Sequence, residues 1–207
     1  ATNHSSRGYG EPMVHPDFLE IVRQAKAVGA RVEVTTNGTR LTRERAAALI
    51  DLDLDRLVVS IDGVTPSSYG DIRIKGSFDQ VVENVRHLYR LKLRHKGRHG
   101  NPQIAIAFVA MKSNAADLAE LPRLATRIGA GSIKVSNMIP HTPEMEKEIL
   151  YKDVLTACTY RASLWIVDMS LPKLDLNSDT LASLQRLYAS SVSLSLLNTS
   201  LSARNDY

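Results

Sequence analysis

The chain has 207 residues, of which 43% are hydrophobic and 23% charged, and a net charge of +4. That composition suffices for a buried core and excludes a disordered or membrane-embedded chain. No apolar run approaches the ~18 residues of a membrane-crossing helix, and no charged-then-apolar start predicts a signal peptide. The single cysteine, Cys158, excludes a disulfide framework and any multi-cysteine metal site made by this chain alone. It fits a reducing, cytoplasmic setting. The mild charge points to neither a nucleic-acid nor a membrane partner.

The first seven residues, Ala1 to Arg7, show neither strand nor helix pattern. After the loop Gly8-Tyr9-Gly10-Glu11-Pro12, a helix is predicted with Pro16 at its first position and Phe18, Ile21, Val22 and Ala25 at helical spacing. Gly29 ends it. Arg31–Thr36 reads as a Val- and Thr-rich strand broken by Thr36-Asn37-Gly38-Thr39. Thr42 is the predicted N-cap of the next helix, through Leu49 and Ile50.

Arg56–Ile61 is the next strand, and a long loop from Asp62 to Gly76 follows it. Ser77 and Gln80 make a capping-box pattern at the start of a helix whose buried face is Phe78, Val81, Val82, Val85, Leu88 and Tyr89. Gln103–Met111 is apolar at nearly every position, the mark of a strand covered on both faces in a parallel sheet. Asn114 is read as the cap of a helix ending at Gly129, with a kink or restart at Pro122. Ser132–Ile139 is the following strand. Beyond Pro140 the regularity fades: Leu164–Met169 reads as a strand, Asn177–Ala189 as a helix, and the Ser-rich end is ambiguous.

Strands alternating with helices specify an α/β fold with a parallel sheet. A closed eight-stranded barrel takes ~250 residues, and only four clear strands stand here. Residues 1–150 therefore read as a partial (βα)6 TIM-type barrel, truncated at its N-terminus, and residues 151–207 as a C-terminal extension. On this reading Arg31–Thr36 is an unprotected sheet edge, and the isolated chain is expected to be poorly soluble.

Active sites of parallel α/β folds collect at the carboxyl ends of strands. The loops there present Gly10-Glu11-Pro12, Thr35-Thr36-Asn37-Gly38, Ser60-Ile61-Asp62-Gly63 and Ser136-Asn137. A carboxylate, an amide and hydroxyls suit a small polar ligand with an ammonium group and hydroxyls of its own. Neither glycine-rich phosphate motif, GxGxxG or GxxxxGK[ST], is present.

These loops, in this order, resemble the radical SAM superfamily. Gly10-Glu11-Pro12 is similar to that family's GGEP motif, Thr36-Asn37-Gly38-Thr39 to its TNG segment and Ser60-Ile61-Asp62-Gly63 to its S[IL]DG segment. Asp71-Ile72-Arg73 with Gly76-Ser77-Phe78 is similar to its R…GSF stretch. Each is weak alone, but four in register over residues 8–140 make a specific signal. The subgroup it most resembles is the maturase-like, SPASM-type branch. Ser136 to Thr142 is similar to the tungsten-cofactor oxidoreductase maturases.

The resemblance implies reductive cleavage of S-adenosylmethionine (SAM) at a [4Fe-4S] cluster to a 5′-deoxyadenosyl radical, acting on a peptide, protein or cofactor precursor and fed by an electron donor. It implies that Glu11, with the Gly10 carbonyl and Pro12 beside it, receives the SAM ammonium. Glycine at position 10 permits close backbone approach. It implies further that Ser60 bonds a ribose hydroxyl, that Arg73 pairs with the SAM carboxylate, and that Asn37 and Asp62 line the cleft or orient its groups. The family's CxxxCxxC triplet is missing. The expectation is accordingly a fragment, inactive by itself, of a radical SAM enzyme.

Blander readings stand beside these. Glu11 can be a turn carboxylate capping the following helix, Ser60 and Asp62 strand-end turn formers, and Arg73 a surface residue. The cationic run Arg86 to His99 reads as a solvated helix end complementing the helix dipole, rather than a docking patch. His15 and His141 read as turn residues and Cys158 as a small packed one. Two alternatives of another class remain: a cluster-less barrel serving as a binding or scaffold module, and a Schiff-base enzyme using Lys134.

Overall fold

The structure, a computed structural model, describes residues 3–5, 10–66, 68–69, 77–138, 142–149, 157–161 and 168–172. In chain order its elements are β1 (Asn3–Ser5), α1 (Phe18–Ala27), β2 (Arg31–Thr36), α2 (Arg43–Asp51), β3 (Arg56–Ser60), α3 (Phe78–His95), β4 (Gln103–Ala110), α4 (Leu121–Ile128), β5 (Ser132–Asn137), α5 (Pro143–Lys147), β6 (Ala157–Arg161) and β7 (Asp168–Pro172). Short 3₁₀ segments cover Pro12–Val14 and Lys112–Ala119.

All seven strands form one sheet in the order β1-β2-β3-β4-β5-β7-β6. Strands β1 to β5 are parallel in sequence order, β7 runs parallel to β5, and β6 pairs antiparallel with β7. The α/β class with parallel strands is as the alternation predicts. The edge expectation is corrected for the first half of the strand: β1 pairs with β2 through Asn3↔Arg31, His4↔Val32 and Ser5↔Glu33, so Arg31 to Glu33 are paired on that side. Three residues are too few to display a period, and their pairing rests on backbone groups that no side-chain pattern announces.

Register divides the sheet into two faces. Val34, Leu57, Val59, Ile104, Ile106, Phe108, Ile133 and Val135 share one face and pack into a single buried cluster with Phe18 and Val22 of α1, Leu49 of α2, Val81, Val85 and Leu88 of α3, and Leu124 and Ile128 of α4. The opposite face carries Glu33, Thr35, Arg56, Ser60, Lys134 and Ser136 around the small residues Ala105 and Ala107. This second face is the inner one, facing away from the helices.

Local signals act as expected at several ends. Thr42 Oγ1 accepts from Arg45 N at 3.3 Å, and Ser77 Oγ accepts from Gln80 N at 3.4 Å. Gly29 stops α1 at φ +74°. Helix α1 begins at Phe18 instead of Pro16. Pro122 restarts the helix in the first turn of α4. Of the expected strand Leu164–Met169, residues 164–167 lie outside the described residues, and β7 begins at Asp168. The expected helix Asn177–Ala189 also lies outside them.

Candidate functional site

The candidate site is the carboxyl rim of the sheet, where side chains from one strand's loop bracket the next. Glu11 follows β1 and precedes α1. Its Oε1 accepts from Met13 N at 3.1 Å and from Thr36 Oγ1 at 2.8 Å, and its Oε2 accepts from Asn37 N at 2.7 Å. The first bond caps the 3₁₀ turn Pro12–Val14, as the blander reading has it, and the other two reach 25 and 26 residues away to the end of β2. An ionised carboxylate has about four acceptor positions, so one is left for a further donor. Gly10 sits at φ +119° with open space where a Cβ would stand. The backbone beside the carboxylate is thus approachable by a ligand.

The turn after β2 is held as firmly. Asn37 Oδ1 accepts from Thr39 N at 2.9 Å and from Thr39 Oγ1 at 2.6 Å, and Thr36 Oγ1 accepts from Gly38 N at 3.0 Å. Asn84 of α3 donates to Gly38 O at 2.9 Å. Gly38, at φ +76°, is pressed against Val81, whose Cγ1 would lie 2.8 Å from an added Cβ. The Asn37 Oδ1 is thus occupied within its own turn, and its backbone N–H is what meets Glu11.

Ser60 closes β3 on the inner face, half-buried. Asp62, two residues on, is buried, and its Oδ1 accepts from Val109 N of β4 at 3.1 Å. Asn114, only 1% exposed, completes the bracket. Its Nδ2 donates to Asp62 O at 3.0 Å and to Val109 O at 2.9 Å, and its Oδ1 accepts from Met111 N at 2.7 Å. This corrects its reading as a helix cap: Asn114 lies within the 3₁₀ segment and joins two rim loops. Asp117 Oδ2 accepts from Val64 N at 3.0 Å. Farther along, Glu148 Oε2 accepts from Ser113 N at 2.9 Å, and the bonds from Ser113 hold the Glu148 carboxyl below the usual range.

Glu11, Asn37, Ser60 and Asp62 therefore occupy one rim, whereas Arg73 lies outside the described residues. The sequence motifs do not mark Asn84, Asn114, Asp117 and Glu148 as rim residues. Their sequence signal is slight, since a lone polar residue in a helix or turn reads as solvated until burial is known. The cationic run behaves as a helix end: Arg86 and Arg90 reach Glu83, and Lys96 reaches Asp53. Lys92 is the exception, being buried. His15 is a turn residue whose Nδ1 accepts from Asp17 N at 3.1 Å, and His141 lies outside the described residues.

Among the described residues no group of three or more His, Cys, Asp and Glu could hold a metal ion, and no helix is long and apolar enough to cross a membrane. With one cysteine in the sequence, this chain does not supply three thiolates for a [4Fe-4S] cluster.

Residues 3–101 match the radical SAM superfamily. The chain is 34% identical over 145 residues to a tungsten-containing aldehyde ferredoxin oxidoreductase cofactor-modifying protein of Pyrococcus furiosus, covering 70% of this chain and 40% of that protein. It is 35% identical over 133 residues to the mycofactocin maturase MftC of Mycobacterium tuberculosis, covering 64% of this chain and 32% of that one. The solved structure of Streptococcus suis SuiB bound to S-adenosylmethionine superposes with a TM-score of 0.56 at 14% identity, covering 95% of this chain and 36% of SuiB. SuiB bound to its precursor peptide SuiA gives a TM-score of 0.53 at 13% identity, over 70% of this chain and 30% of that one. The chain thus spans less than half the length of each.

Proposed function

Residues 3–101 belong to the radical SAM superfamily, and from that premise we propose that this chain forms the SAM-binding rim of a radical SAM enzyme that modifies a peptide, protein or cofactor precursor. The observation that carries the reading is the Glu11 clamp. A carboxylate fixed by Met13, Thr36 and Asn37 keeps one acceptor position and stands beside an approachable backbone at Gly10. SAM, when bound, supplies the sulfonium carbon–sulfur bond whose reductive cleavage starts the chemistry of this superfamily.

This chain's residues do the holding. Glu11 takes the ammonium in a charge-assisted hydrogen bond, with the Gly10 carbonyl and Pro12 framing the turn. Ser60 meets a ribose hydroxyl, and Arg73 takes the SAM carboxylate. Asn37 and Asp62 keep the two flanking loops at fixed separation. The [4Fe-4S] cluster requires thiolates from outside this chain, and an electron donor completes the system. Residues 1–150 make up the barrel part of this assembly and residues 151–207 an extension to it. The setting is cytoplasmic. SuiB, which binds a precursor peptide, and the two maturase-type relatives support a peptide or cofactor precursor as substrate.

The test is SAM binding by wild type and Glu11→Ala. The expected result is an affinity loss of about tenfold or more, the worth of one charge-assisted hydrogen bond. Equal affinities would overturn the reading. No retention of SAM by either protein would favour the binding-module alternative.

A further inference from the structure

Register places Lys134 on the inner face, in the same cross-strand row as Ser60. Ser60 pairs with Ala107, Ala107 with Lys134, and Lys134 with Ser170. Lys134 is the third residue of β5, and β5 is paired on both sides, so this is not a cation at a frayed strand end. Its side chain is exposed and makes no hydrogen bond or ion pair with any described residue. Arg56, another cation on this face, differs: it lies 3.5 Å from Glu33 and donates to Ser132 at 3.0 Å. Beside Lys134 the face is kept low by Ala105 and Ala107 and polar by Ser60 and Ser136. A cation with no counter-ion among the described residues, next to the small Ala107 and in a row that begins at Ser60, is arranged to receive an anion.

SAM does not meet this description once Glu11 holds its ammonium. Glu11 is bonded to the end of β2, and Lys134 lies on β5, three strand spacings away, or about 14 Å along the sheet. The ammonium and carboxylate of one amino acid share a Cα and sit within about 3 Å of each other. A carboxylate at Lys134 therefore comes from a second molecule. We propose that Lys134 anchors a carboxylate of the substrate on the inner face of the sheet, a chain terminus or an acidic side chain. This rests on the radical SAM reading and adds the substrate's chemistry to it.

Equilibrium dialysis tests the proposal with N-acetyl-dialanine and its C-terminal amide as probes and SAM as the reference ligand. The free acid is expected to bind wild type at least about tenfold more tightly than the amide. Lys134→Met should erase that preference, Lys134→Arg should keep it, and neither should change SAM affinity. Equal binding of acid and amide, or binding of neither, overturns the proposal. So does a preference that survives Lys134→Met, or a loss of SAM affinity in that variant. If Glu11→Ala leaves SAM affinity unchanged while Lys134→Met still erases the acid preference, the SAM assignment fails and the carboxylate site stands.

Discussion

The Oε2 atom of Glu11 and the backbone nitrogen of Asn37 lie 2.7 Å apart, a hydrogen bond joining the loop after β1 to the loop after β2. A carboxylate in that place does two jobs. It satisfies backbone and hydroxyl donors of its own protein, and it keeps one acceptor position, which the proposed reading gives to the SAM ammonium. Thr36 is the hinge of this arrangement, since its hydroxyl donates to Glu11 and accepts from Gly38 N while being 2% exposed. Thr36→Val preserves the shape and removes the hydroxyl. It should cost about 2 kcal/mol, because the buried Gly38 N–H and the part-buried Glu11 carboxylate each lose a partner, and should weaken SAM binding in step. Urea unfolding and SAM titration together check this. An unchanged midpoint would show that the hydroxyl link contributes nothing.

Asn114 has the greater structural consequence. Removing its amide takes one hydrogen bond each from Asp62 O, Val109 O and Met111 N, two of the three bonds being buried. Asn114→Ala should destabilise the protein by about 3 kcal/mol and lower its melting temperature by roughly 6–12 °C. Calorimetry decides it, and a change within 1 °C would mean the three bonds are readily replaced.

Gly63 is crowded by backbone, not by flexible side chains. An added Cβ would overlap the Tyr69 nitrogen and Cα and the Ser68 carbonyl carbon. Gly63→Ala should therefore shift the segment that carries Tyr69 onto Phe78, a ring pair at 5.7 Å, and should lower both stability and SAM affinity. The near-ultraviolet circular dichroism of the Tyr69 region provides the readout. A native spectrum with native SAM affinity would argue that the loop relaxes at no cost.

Lys92 runs the other way. It is 3% exposed, it forms no ion pair with any described residue, and burial holds its ammonium below the ordinary value of 10.5. A buried charge of this kind costs stability, so Lys92→Met should raise stability by about 1 kcal/mol near neutral pH. The sign with pH follows from proton uptake. Between the lowered folded pKa and 10.5 the unfolded chain binds more protons, so the wild type gains stability as pH rises through that window. The advantage of the variant should shrink accordingly in melts at pH 7 and pH 10. A variant less stable than wild type would show instead that the ammonium finds solvent.

What the sequence alone determined is the local grammar and the resemblance to a family. Val- and Ile-rich runs alternating with amphipathic helices specify a parallel α/β sheet, because strands without a polar face must be covered on both sides. Caps such as Thr42 and Ser77 mark helix starts because they act within one turn. The short motifs at Glu11, Asn37, Ser60 and Asp62 fall after successive elements, so their meeting at one rim follows from the parallel order. Tertiary structure alone decided the rest. Whether Asn114 is a cap or a bracket depends on the burial of a loop against β3 and β4. That Lys92 is buried and Lys134 exposed, each without an ion pair to any described residue, depends on which faces the helices cover. The pairing of Asn3–Ser5 with β2 is invisible in side chains because backbone groups make it. Hydrogen bonds and ion pairs spanning tens of residues have no period, and only the folded chain brings their ends together.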